Sequence, residues 1–264
     1  GGLAMSERRT FRRMDRIYVV NRQVTADYRA RFADVAERFE FLPNWVDPAI
    51  FRSADAAARQ AERDGLAARI GVTPDAPLLL YAGRLEGQKD PLLLVRAFAA
   101  LRARHPAAHL LIAGEGGLEA ATRAELTALG LGSAATFLGT VPREEVARLM
   151  HAADALLITS AFETGPTVGL EALASGLPVV TTDVGEVASV VAETGAGQVA
   201  ASRTPEAVAA AIDAVLSLPA PGLRDGAVRA AEPFLADRVL GAVYAANREM
   251  AARLPATEPN PAIG

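Results

Sequence analysis

Cysteine is absent from the 264-residue chain, which excludes disulfides, thiolate-held metals and a cysteine nucleophile. Aromatic residues make up only 5%, a poor supply for a β-sandwich core. The expectation is therefore helices packed closely on an aliphatic sheet. No apolar run approaches the roughly 20 residues that span a bilayer, and residues 1–5 lack the layout of a secretory signal. A cytoplasmic protein is expected, at most peripheral to the inner face of the membrane. The formal charge of −4 offers no clustered basic face for phosphodiester chains, so nucleic acid is not expected as a partner.

What the chain does contain is alternation. Short aliphatic runs occur at 78–82, 110–113, 135–138, 155–159 and 178–182, with a weaker one at 198–200. Helical patterns separate them, as at Leu92, Val95, Phe98, Ala99 and Leu101. Strands that are apolar throughout are buried on both faces, which predicts an α/β fold: a Rossmann-like, doubly wound parallel sheet of about six strands. Asp90 before Pro91, and Thr204 before Pro205, read as N-caps followed by proline in the first turn. Gly176 closes another helix. The Pro-rich stretch 218–222 reads as a break before a final helical region at 234–254, and the tail 255–264 carries no periodicity. At the front, strand patterns at 17–20 and 39–42 flank a helix pattern at 25–38, an incomplete β-α-β unit. Two strands and one helix bury too little to stand alone, so the unit must dock on the main domain or on something else.

Open parallel sheets bind ligands beyond the carboxyl ends of their strands, and four segments fall there. In Tyr81-Ala82-Gly83-Arg84-Leu85-Glu86-Gly87-Gln88-Lys89-Asp90, Arg84 offers a planar fork and Lys89 a compact charge, a pair able to neutralise a pyrophosphate without a metal. Two solvated loop cations are the plainer alternative. In Gly114-Glu115-Gly116-Gly117, glycines let a backbone approach a ligand and Glu115 can bond a hydroxyl. A dinucleotide fingerprint fails here, because its last glycine would fall on Glu119. The end of the strand at Gly139, with Thr140 and Val141, presents main chain to a planar base or is a simple turn. Last, Glu163 lies in a loop and Glu171 about one turn inside a helix beginning near Thr167. The two carboxylates are expected to face one cleft, with N–H groups from Gly165 to Gly169 pointing into it. Both glutamates also suit a helix N-terminus for purely structural reasons. His105, His109 and His151 read as surface or packing residues.

Taken together, these residues resemble the retaining glycosyltransferases of the GT-B fold, family 4 (glycosyltransferase group 1). That family carries Glu-x7-Glu followed by Ala-x-Ala-x-Gly-x-Pro-Val-Val, matched here by Glu163, Glu171, Ala172, Ala174, Gly176, Pro178, Val179 and Val180. The resemblance runs from about Met14 to Tyr244. It implies that Gly83, Arg84 and Lys89 hold the diphosphate of a nucleoside-diphosphate sugar, with Gly114 and Glu115 beside them. It further implies that Glu163 meets the transferred sugar and Glu171 the ribose. Backbone at Gly165, Pro166, Thr167 and Val168 would meet sugar and phosphates, and the loop at 139–143, including Val141, the base. Arg84, Lys89 and Glu163 are the implied catalytic set, with neither metal nor cofactor. Thr164-Gly165-Pro166 departs from the commoner Gly-Phe-Gly, which leaves the sugar open, and Arg143 favours a uridine donor over a guanosine one.

The resemblance also implies an organisation. Residues 1–47 look like the end of an N-terminal acceptor domain and its linker, 48–234 like the donor-binding domain, and 235–264 like the crossover helix and a disordered tail. The expectation is that the missing N-terminal domain, in cis or trans, is needed for activity, and that the exposed interdomain face can pair two copies as a homodimer. Two other readings share the fold: a nucleotide-sugar epimerase, and a non-catalytic binding or dimerisation module.

Overall fold

A strand with no polar alternation is stable only when covered on both faces, and the computed structural model, which describes residues 2–163 and 167–253, shows how this chain arranges that. A small front unit comprises α1 (Gly2–Phe11), β1 (Ile17–Val19), α2 (Arg22–Arg31) and β2 (Phe39–Phe41). The main domain follows: α3 (Ala56–Ile70), β3 (Leu78–Ala82), α4 (Pro91–Arg102), β4 (His109–Ala113), α5 (Glu119–Ala128), β5 (Ala135–Gly139), α6 (Arg143–Ala152) and β6 (Ala155–Ile158). It continues through α7 (Thr167–Ala174), β7 (Val179–Thr181), α8 (Gly185–Thr194), β8 (Gly197–Val199), α9 (Pro205–Leu216) and α10 (Ala220–Ala231), and α11 (Ala236–Arg253) ends it.

The six strands of the main sheet run in the order β5-β4-β3-β6-β7-β8, every pair parallel. Successive side chains go to opposite faces. Leu78 and Leu80 pack with α3, α6, α7, α8 and α10, whereas Leu79 and Tyr81 pack with α4, α5 and α9. The expected α/β, doubly wound architecture is therefore present. Chain order reverses between β3 and β6, and the loops leaving those two strands border the crevice this creates.

Caps fall where the sequence placed them. The Asp90 carboxylate accepts from the Leu93 amide at 3.1 Å, and the Thr204 hydroxyl from that of Ala207 at 3.3 Å. The stretch 218–222 corrects the sequence reading: Pro219 caps α10 and Pro221 lies in its first turn, where a missing N–H costs nothing. What reads as a break starts a helix that packs on α7.

The front unit differs from expectation as well. Its helix ends at Arg31, and a short 3₁₀ segment covers Ala33–Arg38. The kink turns Phe32 and Val35 inward to meet Phe39. Phe11 of α1, a helix the sequence patterns did not reveal, adds edge contacts to Phe32 and Phe39 with ring centroids 5.0 and 5.1 Å apart. The unit thus has an aromatic core of its own and also docks on the main domain. The Val46 amide donates to Phe234 O at 2.8 Å, the Ala236 amide donates to Val46 O at 2.9 Å, and Arg22 reaches Glu186 at 3.4 Å. Residues 255–264, read as a frayed tail, lie outside the described residues.

Candidate active site

Two loops are sewn together beyond the carboxyl ends of β3 and β6. After β3 the chain turns through Gly87–Lys89, and Asp90 takes the left-handed conformation with φ 48°. Its carboxylate bonds the start of α4 and Arg203, the latter at 2.6 Å. From the β6 side the Thr159 hydroxyl donates to the carbonyls of Lys89 and Asp90, at 3.0 and 3.2 Å. The Ala161 amide donates to Gln88 O at 2.8 Å, and Gln88 Nε2 to Phe162 O at 3.1 Å.

This lacing sets Lys89 Nζ 2.5 Å from Glu163 Oε1, across a sequence separation of 74. Ser160 Oγ donates to the same oxygen at 2.6 Å. The Glu163 side chain is 5% exposed and that of Lys89 21%, so a carboxylate is held almost out of water by one cation and one hydroxyl. Ammonium has three donors; Glu163 takes one, and the other two have no side-chain partner among the described residues. Beneath the pair, Tyr81 donates its hydroxyl to Arg84 O at 2.7 Å. Burial, and then the charges of Glu163 and Glu86, raise the Tyr81 pKa well above the ordinary phenol range. Tyr81 therefore stays a neutral donor. The Arg84 side chain is exposed and has no ion-pair partner among the described residues, an open position for phosphate.

The glycines after β4 have a different use from the one expected. A Cβ on Gly114, at φ 133°, would lie 2.0 Å from Gly83 O, and one on Gly116 2.5 Å from Leu85 O. They allow two backbones to touch, with the Leu85 amide donating to Glu115 O at 2.9 Å and the Leu118 amide to Leu85 O at 2.8 Å. The close approach is to the Arg84 loop, which it fixes from behind. Glu115 is exposed and accepts from the Thr140 amide at 3.3 Å. Val141 packs against the main core.

Glu171 is one turn inside α7, its side chain 14% exposed and its Oε1 3.1 Å from an Arg143 nitrogen. Burial raises its pKa, and Arg143 offsets part of that rise. A cavity of about 340 Å³ opens here, lined by Asn44, Trp45, Arg143, Thr167 and Glu171. Glu163 is not among the residues lining that cavity; it pairs with Lys89, and Glu171 with Arg143. Val168 is half-buried at the start of α7, while Gly165 and Pro166 lie outside the described residues. The sequence patterns did not flag Ser160, Tyr81, Asn44 or Trp45. For Ser160 the available signal was its place three residues before Glu163; for Trp45 it was a large apolar side chain in a Pro-Asn-Trp-Val-Asp linker.

Fold and motif together define the class: a Rossmann-like domain of the GT-B kind, with a cation-bearing loop and two glutamates at its switch point. The family model described as "Glycosyl transferases group 1" matches residues 63–232, and the chain belongs to that family. It is 37% identical over 203 residues to the D-inositol 3-phosphate glycosyltransferase of Geodermatophilus obscurus, covering 72% of this chain and 45% of that protein. To the glycogen synthase of Mycobacterium tuberculosis it is 34% identical over 184 residues, covering 70% and 43%. The chain thus spans less than half the length of these relatives. Among solved structures it is similar to sucrose-phosphate synthase from Thermosynechococcus elongatus, with a TM-score of 0.76 and 25% identity over 95% of this chain and 62% of the other.

Proposed function

We propose that this chain is the donor-binding half of a retaining glycosyltransferase that moves a hexosyl group from a nucleoside diphosphate, UDP in preference to GDP, to an acceptor hydroxyl. The observation that carries this is the Lys89–Glu163 pair at the switch point, on the same loop as Arg84, which has no ion-pair partner among the described residues. In the reaction the bond from the anomeric carbon to the terminal phosphate oxygen breaks, a bond from that carbon to the acceptor oxygen forms on the same face, and the acceptor's hydroxyl proton passes to the released diphosphate. Negative charge grows on the departing diphosphate. Arg84 and the free Lys89 donors are placed to stabilise that charge preferentially as it develops. Glu163, held in place by Lys89 and Ser160, orients the sugar through its hydroxyls and opposes positive charge at the ring. Glu171 takes the ribose, and the main chain at Gly139 to Val141 the base.

The proposed organisation keeps 48–234 as the donor domain, with 1–47 and 235–264 belonging to the acceptor side. In support, the two junctions meet: Val46 bridges to Leu235. The acceptor half, in cis or trans, then completes the enzyme, and a second copy of this chain is the other candidate for the same face. No single helix among the described residues is long and apolar enough to cross a membrane; the proposed site of action is the cytoplasm, at most on the membrane's inner face.

Calorimetry with UDP and GDP tests the donor site: binding of UDP with the greater affinity is expected, and no heat with either at millimolar ligand overturns the reading. Lys89→Ala should weaken UDP much more than uridine, because only UDP carries the diphosphate.

A further inference from the structure

We infer that Trp45, the one tryptophan of the chain, is a nucleoside-binding residue: its indole forms the apolar wall against which the nucleoside of the donor lies while Glu171 holds its hydroxyls. The inference rests on the proposed donor site and adds to it a residue from the linker. Three observations support it. Trp45 is 42% exposed, unusual for the largest apolar side chain, and lines the same cavity of about 340 Å³ as Glu171 and Arg143. Its direction is fixed by its neighbour: Val46 is fully buried and bonded on both sides, to Phe234 and to Ala236. Val46 is a β-bridge residue paired with Leu235, and across such a bridge adjacent side chains alternate in direction, in keeping with a buried Val46 beside an exposed Trp45.

The lining is also complementary to one kind of ligand. A carboxylate suits paired hydroxyls, and an indole face suits a planar ring or the apolar face of a sugar. Arg143, whose guanidinium lies 5.2 Å from the Phe51 ring, adds a planar donor beside them. An inorganic diphosphate would use neither the indole nor the carboxylate, and Arg143 is already paired with Glu171, so in this reading the cavity takes the nucleoside and the Arg84 loop the phosphates.

A single tryptophan makes the test direct. Titrating the protein with UDP, with uridine and with inorganic pyrophosphate should give a saturable change in tryptophan emission with the first two and none with the third. By calorimetry, Trp45→Ala should weaken UDP roughly tenfold and leave pyrophosphate binding unchanged, with Trp45→Phe recovering most of the loss. If UDP binds by calorimetry but emission stays flat and Trp45→Ala binds as well as the parent, Trp45 is not in the site, although the donor reading stands. An equal emission change with pyrophosphate also overturns the inference, since the indole would then be sensing the phosphates. If neither UDP nor GDP binds the parent protein, the donor reading itself fails and the inference falls with it.

Discussion

Strands β3 and β6 carry an ion pair at each end, and the two pairs are built for different purposes. At the amino ends, Arg63 meets Asp154 at 3.1 Å across 91 residues. Every guanidinium donor there has a partner: Pro74 O at 2.7 Å, Ala152 O at 2.8 Å, Ala76 O at 2.7 Å, and the carboxylate. Asp154 in turn accepts from the Leu78 amide at 2.8 Å, at the first residue of β3. At the carboxyl ends, Lys89 pairs with Glu163 alone and Arg84 has no ion-pair partner among the described residues. A saturated pair fastens the strands together; an unsaturated pair is, under the proposed function, the receiver of an anion.

That contrast predicts opposite mutational signatures. The largest effect should come from Arg84→Ala on sugar transfer, measured with the acceptor half supplied: a loss of about 3 to 4 kcal/mol in transition-state stabilisation, with an unfolding midpoint close to the parent's. A change in midpoint as large as the kinetic loss would make the carboxyl-end cations structural and break the comparison. Next, Asp154→Ala strands the Arg63 guanidinium and the Leu78 amide. Denaturant unfolding should show about 3 kcal/mol of lost stability, while UDP affinity of the folded protein stays unchanged. Gly114→Ala should cost roughly 2 kcal/mol and weaken UDP as well, because a Cβ there would collide with Gly83 O and displace the Arg84 loop.

The smallest effect has the opposite sign. Burial raises the Glu171 pKa above the ordinary 4.5, so the folded protein binds that proton more tightly than the unfolded chain does. Ionising Glu171 therefore takes stability away as pH rises through that region, leaving a residual cost at neutral pH. Glu171→Gln should accordingly be as stable as the parent at pH 7, or more so by up to about 1 kcal/mol, yet bind UDP less tightly. UDP affinity of the parent should fall on acidification with a midpoint above 4.5, and that step should vanish in Glu171→Gln. A variant that loses stability at pH 7 would place Glu171 with Asp154, among the structural carboxylates.

Much of this was legible in the chain. Unbroken aliphatic runs such as 78–82 and 155–159 announced strands buried on both faces, and Asp90-Pro91 and Thr204-Pro205 marked helix starts, because caps and periodicity are local physics. Pro219 and Pro221 misled for an equally local reason: proline breaks a helix interior and begins a helix equally well, and only packing on α7 chose between the two. The same holds for α1, whose polar run, including Glu7, Arg8 and Arg9, shows no apolar face until Phe11 finds Phe32 and Phe39.

Of the site, the sequence by itself determined the inventory: a cation loop, a glycine loop, a glutamate loop and a helix start, in the order that the family shares. Tertiary structure decided the pairings. That Lys89 rather than Arg84 meets Glu163, that Gly114 and Gly116 serve a backbone contact, and that Trp45 and Glu171 line one cavity all follow from the reversal of strand order between β3 and β6 and from the return of the chain at Val46 and Leu235. Contacts across 74 and 91 residues leave no local pattern, because the residues at their two ends are brought together only by the burial of everything between them.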